Sequence, residues 1–214
     1  MPASFFGTRF AVSGLLSATL LLTACQSDPA PTANVADTAA PGANATGAPV
    51  EITEKSFKCL HDMTPVRGFF VDNIAGDLDG TLAAANTPGG AVYPPGSVVQ
   101  LFPNEVMVKR ENGFNPITKD WEFFELDVDE NGSTIRKRGF QDVNNRFGGN
   151  CFACHVQAKP QWDLICEDDH GCAALPINEL TIRSLQNTDP RCEERDVSFM
   201  EQVTARFIKT FTSL

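Results

Sequence analysis

The chain has 214 residues and a formal net charge of −10, with 27 acidic side chains against 17 lysines and arginines. This balance argues against nucleic acid as a partner, because a phosphate backbone is bound by clustered basic side chains. Without the N-terminal stretches described next, about 160 residues remain, enough for one domain with a substantial core.

The first 24 residues have the composition of a bacterial signal peptide. Arg9 is their only charge, and the apolar stretch after it is too short to span a membrane as a helix. The stretch ends in Leu22-Thr23-Ala24-Cys25, which resembles a lipobox, where the signal is removed before a cysteine that receives lipid. We therefore expect Cys25 to anchor the chain by lipid alone, facing the periplasm. Gln26, rather than Asp, favours the outer membrane. The alternative is an ordinary secretory signal with a chance cysteine.

Residues 25–50 predict a disordered linker that begins at the lipidated cysteine. They are mainly Ala, Pro, Thr, Asn and Gly, with too few large apolar side chains to form a core. A flexible chain of this length spans about 25–30 Å on average. We therefore expect the folded domain, residues 51–214, to be tethered a short way from the membrane.

The first part of the domain is predicted to be helical and the middle to be a sheet. Phe57, Leu60 and Met63 have helical spacing, Pro65 ends that turn, and a second short helix is expected at residues 77–86. Strands are predicted at 97–102, 105–110, 121–128 and 133–138, with an Asn-Gly turn joining the last two. The expected fold class is α+β, with an antiparallel sheet of four to five strands and flanking helices.

Cys151-Phe152-Ala153-Cys154-His155 has the C-x-x-C-H spacing at which haem c is attached. Each thiol forms a thioether to a vinyl group of the porphyrin, and the adjacent imidazole becomes an axial ligand of the iron. One alternative is a redox-active cysteine pair, which does not need the histidine. The other is half of a zinc site, for which the chain lacks a second ligand pair. We expect one covalent haem held by Cys151, Cys154 and His155, with His155 as the metal ligand.

Four cysteines remain once lipid and haem are assigned: Cys59, Cys166, Cys172 and Cys192. In an oxidising compartment they suggest two disulfides, for which three pairings are open. We favour Cys166–Cys172, which closes a short loop, and Cys59–Cys192, which joins the two ends of the domain. One or more free buried thiols is the alternative.

Two helices are predicted after the motif, one at residues 177–186 and one that starts at Ser198. Ser198 and Glu201 have the spacing of a capping box, in which each side chain bonds to the backbone of the other. Phe199, Val203 and Phe207 form an apolar stripe on the second helix. We expect this stripe to pack on the domain rather than to contact a membrane.

Residues 93–176 resemble the β-rich monohaem cytochromes that comprise cytochrome P-460 and cytochrome c′-beta. The resemblance rests on the order and spacing of five segments: Pro94-Pro95-Gly96-Ser97, Val106-Met107-Val108-Lys109, Lys119-Asp120-Trp121-Glu122-Phe123, Cys151-x-x-Cys154-His155 and Trp162-Asp163-Leu164. It implies an antiparallel sheet with flanking helices, a five-coordinate haem and, in many members, a homodimer.

One departure from this family concerns the porphyrin edge. The hydroxylamine-oxidising members link a lysine to the porphyrin, five residues after the glycine of the turn. Leu101 stands at that place, while Lys109 matches the next strand. The cross-link is therefore not expected, and the resemblance implies the apolar distal pocket of cytochrome c′-beta. The residues expected to line it are Leu101, Phe102, Phe123 and Phe124.

An apolar distal pocket favours a small uncharged ligand, because nitric oxide and carbon monoxide bind ferrous haem without a hydrogen-bond donor. We expect an exported haem protein that binds a small diatomic, with nitric oxide favoured. One alternative is a six-coordinate electron-transfer cytochrome with a redox protein as partner. Its sixth ligand would come from His61, Met63, Met107, His170 or Met200. The other is an oxidase of hydroxylamine or nitric oxide, and the sequence does not decide whether the protein is catalytic. Its acid or base would come from Glu105, Glu122, Glu125 or Asp142.

Overall fold

The computed structural model describes residues 50–211, which all belong to one structural unit. The signal peptide, the lipidation expected at Cys25 and nearly all of the linker fall outside these residues. No helix within residues 50–211 combines the length and the apolar character needed to cross a membrane.

A six-stranded antiparallel sheet forms the centre of the domain, and its strands lie side by side in chain order. The strands are β1 (Thr64–Val66), β2 (Phe69–Asn73), β3 (Ser97–Phe102), β4 (Glu105–Lys109), β5 (Trp121–Asp129) and β6 (Gly132–Gly139). The α+β class with an antiparallel sheet is confirmed, and the sheet has six strands rather than four to five.

The additional strands, β1 and β2, occupy part of the segment expected to be helical. In place of a helix, this stretch has single 3₁₀ turns at Glu54–Ser56 and Leu60–Asp62, and Phe57 and Met63 follow them in extended conformations. The chain then reverses at Arg67, which has a φ of 53°. That conformation is uncommon for a residue with a Cβ. Two hydrogen bonds of 2.6 Å from the Arg67 guanidinium to Glu167 help to hold it.

Four α-helices accompany the sheet, and a side-chain cap marks where each of them begins. They are α1 (Leu78–Asn86), α2 (Cys151–His155), α3 (Glu179–Asn187) and α4 (Phe199–Phe211). Asp77 accepts a hydrogen bond from the Gly80 N–H at the start of α1. At α4, Ser198 N–H donates to Glu201 and Glu201 N–H donates to the Ser198 hydroxyl, so the predicted capping box is present.

The two faces of the sheet cover two separate apolar cores, because side chains alternate between the faces along each strand. The motif-side core includes Val71, Val99, Met107, Trp121 and Phe123, and Leu101, Cys151 and Phe152 pack against it. The opposite core includes Leu60, Met63, Phe70, Val106, Val108 and Phe124. The C-x-x-C-H helix therefore packs against one face of the sheet only.

The apolar stripe of α4 is exposed, so the expectation that it packs on the domain is wrong. The side chains of Phe199, Val203 and Phe207 are 76%, 45% and 62% exposed, whereas Ala205 is 2% exposed. The helix faces the domain through the small residue Ala205, and Glu201 accepts a hydrogen bond from Asn187 of α3. A small residue allows close approach of two helices, which the larger stripe would prevent.

Candidate functional site

The C-x-x-C-H sequence forms the short helix α2, whose start is fixed by Asn150. The Asn150 side chain accepts a hydrogen bond of 2.9 Å from the Ala153 N–H and donates to the carbonyls of Gln141 and Val143. Two residues before Asn150, Gly148 has a φ of 86°, which favours glycine. The helix places Cys151 and Cys154, three positions apart, on the same side.

The six cysteines of the described residues divide into two disulfides and one unbonded pair. Cys59 is joined to Cys192 and Cys166 to Cys172, the pairing favoured from the sequence. Cys151 and Cys154 carry no disulfide. The two motif thiols are thus left for other chemistry.

The state of the motif thiols argues against the redox and zinc alternatives. Burial, followed by the charges of Glu105 and Glu125, raises the pKa of Cys151 to about 12. A redox-active C-x-x-C pair needs the opposite, a lowered thiol pKa. Within residues 50–211, the group with metal-ligand spacing is Cys59, Asp189 and Cys192, and its two sulfurs are joined to each other. The motif cysteines belong to no such group.

His155, the last residue of α2, has the orientation expected of an axial ligand. Its Nδ1 lies 2.7 Å from the Leu164 carbonyl oxygen. Because a carbonyl only accepts, Nδ1 carries the proton and Nε2 keeps its lone pair. Burial lowers the pKa of His155, which favours the neutral ring that binds metal. Metal-ligating histidines commonly donate their second ring N–H to such a carbonyl, so the donor set fits a haem iron.

The residues expected to line an apolar distal pocket do not lie together. Leu101 packs against the motif-side core, and Phe102 is buried with its ring 6.2 Å from that of Phe147. Phe123 lies beside the expected proximal ligand, with its ring centroid 5.4 Å from that of His155. Phe124 belongs to the opposite core, so placing it in the pocket was wrong. Neighbouring residues of one strand face opposite ways, which excludes one of the two phenylalanines.

The candidates for a sixth ligand are also divided by the sheet. Met63 is in the opposite core, and His61 contacts Phe70 of that core at a centroid distance of 5.7 Å. His170 is stacked on Trp162 at 3.7 Å, with its Nδ1 2.8 Å from the Ile165 carbonyl. Met200 is exposed on α4. Met107 is the one of the five that shares a core with the motif.

Among the four carboxyl groups considered as an acid or base, Glu105 is distinguished by its surroundings. Burial raises its pKa to about 7, against a hydrogen bond of 3.1 Å from the Arg146 N–H. Glu122 is buried between Arg110 and Arg138, and Asp142 is exposed. Glu105 and Met107 are two positions apart on β4 and therefore share a face of the sheet. This spacing could be read from the sequence alone.

These features define an α+β domain in which one face of a six-stranded antiparallel sheet carries a short C-x-x-C-H helix. No protein-family model, no curated protein and no solved structure matches this chain.

Proposed function

We propose that this protein is an exported, lipid-anchored monohaem cytochrome of the c type, similar to cytochrome P-460 and cytochrome c′-beta. Cys151 and Cys154 hold the porphyrin and His155 is the axial ligand. One observation carries the proposal: His155 donates its Nδ1 proton to the Leu164 carbonyl, which leaves Nε2 for a metal beside two unpaired thiols. The disulfides of the other four cysteines support it, since they leave this pair alone.

The proposed activity is the binding of a small diatomic molecule, with nitric oxide favoured. Haem iron supplies a coordination position for such a ligand when the opposite side has no protein ligand. Four of the five candidate sixth ligands are in the opposite core, stacked on tryptophan or exposed, which supports a five-coordinate haem. Leu101, which packs against the motif-side core, brings no hydrogen-bond donor to stabilise bound oxygen, whereas nitric oxide and carbon monoxide need none.

Two observations favour particular alternatives. Met107 lies in the motif-side core, which favours the six-coordinate electron-transfer cytochrome with this thioether as ligand. Glu105, with a pKa near 7, favours an oxidase, because a group that exchanges a proton near neutral pH suits acid–base catalysis.

Optical spectra of the purified protein test the proposal and separate its alternatives. We expect a high-spin oxidised spectrum and ready binding of nitric oxide by the ferrous form. A low-spin resting spectrum would support electron transfer instead, and a red-shifted band would indicate a cross-linked porphyrin. Cys151→Ala with Cys154→Ala should leave no haem on the denatured chain after acid–acetone extraction, whereas Cys166→Ser with Cys172→Ser should retain it.

The proposed location rests on Cys25 and is tested separately. Mass spectrometry of the mature chain should find Cys25 at the N-terminus with a lipid modification. Cys25→Ser should release the protein into the periplasm or block its processing. An unmodified Cys25 in the mature chain rejects the lipid anchor and leaves the haem proposal intact.

A further inference from the structure

Two consecutive residues between the haem motif and Cys166 have left-handed backbone conformations. The φ angles are 49° at Asp163 and 68° at Leu164, and neither residue is glycine. This region is disfavoured for residues with a Cβ, so it persists only where the surroundings hold it. The contacts of Asp163 show what holds it.

Asp163 is the centre of a buried polar network. Its carboxylate oxygens accept hydrogen bonds of 3.0 and 2.8 Å from the Lys109 ammonium, and one of them also accepts the Tyr93 N–H at 2.9 Å. The Trp121 indole N–H donates to the Asp163 carbonyl at 2.7 Å. The side chains of Lys109 and Asp163 are 3% and 2% exposed. Both the backbone and the side chain of Asp163 are therefore fixed.

The Lys109 ammonium has no bonding capacity left for another partner. It has three N–H donors. Two bonds go to Asp163 and the third goes to the Lys119 carbonyl at 2.7 Å. Burial lowers the pKa of Lys109, and the bonds and the charge of Asp163 oppose that change. Lys109 is thus committed to Asp163 and is not a porphyrin-linking lysine in this conformation.

The residue after Asp163 supplies the carbonyl that orients His155. Leu164 accepts from the His155 Nδ1–H at 2.7 Å, and the Ile165 N–H donates back to the Trp162 carbonyl at 2.8 Å. Hydrogen bonds therefore hold the chain at Leu164 and at the residue after it. Its carbonyl direction depends on the two left-handed residues, and these depend on the ion pair.

We propose that Lys109 and Asp163 are positioning residues for His155: their buried ion pair holds the turn that directs the Leu164 carbonyl at the imidazole. The hydrogen bond itself does not require haem, whereas its effect on iron rests on the proposed function. A carbonyl bonded to Nδ1–H fixes the tautomer and makes Nε2 a stronger electron donor. Second-shell hydrogen bonding of this kind tunes the reduction potential of the metal.

The test uses the haem-loaded protein and variants that remove both charges together. Removing one member alone would leave an uncompensated buried charge, so Lys109→Met with Asp163→Asn is the main variant. Trp121→Phe is a second, milder variant that removes only the indole N–H bond to Asp163. The matched control is Arg191→Met with Asp189→Asn, a pair with 3% and 0% exposure that bonds to Ser133 and the Leu60 N–H.

The readouts are the iron–histidine stretching frequency, the reduction potential and the thermal midpoint of unfolding. We expect both positioning variants to lower the stretching frequency and to shift the potential to more positive values, with haem content unchanged. The control should lower the thermal midpoint and leave the other two at wild-type values. If frequency and potential stay at wild-type values in both positioning variants, the ion pair is structural only and the inference is wrong.

Failure of the proposed function is recognised separately. If the wild-type chain carries no covalent haem, that function is rejected, and the inference is judged on the haem-free chain with Cys151→Ser and Cys154→Ser. There, ¹⁵N chemical shifts should show a single His155 tautomer with the proton on Nδ1. The additional Lys109→Met and Asp163→Asn changes should produce a tautomer mixture. An unchanged single tautomer rejects the inference.

Discussion

Glu105 lies directly opposite Glu125 on strands β4 and β5, so two carboxyl groups meet on the motif side of the sheet. The Arg146 N–H donates to Glu105, while the Arg136 side chain forms an ion pair with Glu125. The Arg146 side chain, 5% exposed, lies 4.0 Å from Glu125, and its charge lowers the pKa of Glu105 less than burial raises it. The burial that raises the pKa of Glu105 to about 7 is therefore not fully offset by basic neighbours.

The raised pKa of Glu105 predicts a loss of stability as the pH rises. The ordinary value is 4.5 and the folded value about 7, so between them the folded state holds this proton more tightly than the unfolded chain. The contribution is present below about pH 4.5 and is lost as the pH rises through 7. The thermal midpoint of wild type, relative to that of Glu105→Gln at the same pH, should decrease as the pH is raised from 5 to 8.

The exposed Asp142→Asn variant is the control, and its difference from wild type should not change over that range. If the plots of thermal midpoint against pH are parallel for wild type and Glu105→Gln, Glu105 does not hold a proton near neutral pH. The oxidase alternative would then lose its main support.

Met107 decides between a five- and a six-coordinate haem. Met107→Leu conserves volume in the motif-side core, so it should cost less than about 1.5 kcal/mol of stability. Under the proposed function, the resting optical spectrum should stay the same. Met63→Leu, in the opposite core, is the matched control for the loss of a buried thioether. A spectrum that changes from low to high spin in Met107→Leu alone would assign Met107 as the sixth ligand.

The two disulfides should differ in their effect on stability because they close loops of different length. Cys59–Cys192 spans 133 positions and Cys166–Cys172 spans 6. The chain-entropy model assigns about 5 kcal/mol to the first and about 2 kcal/mol to the second. Denaturant unfolding of Cys59→Ser with Cys192→Ser and of Cys166→Ser with Cys172→Ser measures both. Equal losses of stability would contradict the expected order. Peptide mapping that joins Cys59 to Cys166 would contradict the pairing itself.

The exposed stripe of α4 should tolerate polar residues, since surface substitutions usually change stability by at most about 0.5 kcal/mol. Phe199→Ser and Val203→Ser are the variants, and denaturant unfolding is the measurement. Ala205→Leu is the contrast, because adding three carbons at the 2% exposed position should cost about 1–3 kcal/mol. A large loss in Phe199→Ser would show that the stripe is covered in the folded protein.

The central strands could be predicted from the sequence because several local signals agree there. Strand β3 has the predicted bounds, and a tight turn joins β5 to β6 as expected, although its two connecting residues are Glu130 and Asn131, with Gly132 opening β6. The hairpin of β1 and β2 could not be predicted, since its turn depends on Arg67, whose conformation is held by the distant Glu167. Tertiary contacts decide such turns, and composition does not reveal them.

The site could be predicted at the level of the motif but not of its surroundings. Cys151, Cys154 and His155 follow from spacing alone. The alternation of β5 already places Phe123 and Phe124 on opposite faces of the sheet, as the two cores show. The left-handed conformation of Asp163 and Leu164 has only a weak local signal, because aspartate adopts it more often than most residues but leucine rarely does. Their conformation depends on Lys109, which lies 54 positions away.

The link between Cys59 and Cys192 has a consequence for the order of events during maturation. If the chain is exported from its N-terminus, as proposed, Cys59 precedes Cys151 and Cys154, and Cys192 is the last cysteine to emerge. Until Cys192 arrives, an oxidising disulfide of the compartment, itself reduced in the exchange, could join Cys59 to a motif thiol. Haem attachment at the motif would remove both competitors. Under the proposed function, haem loading and correct closure of the domain would then be coupled steps of one assembly pathway.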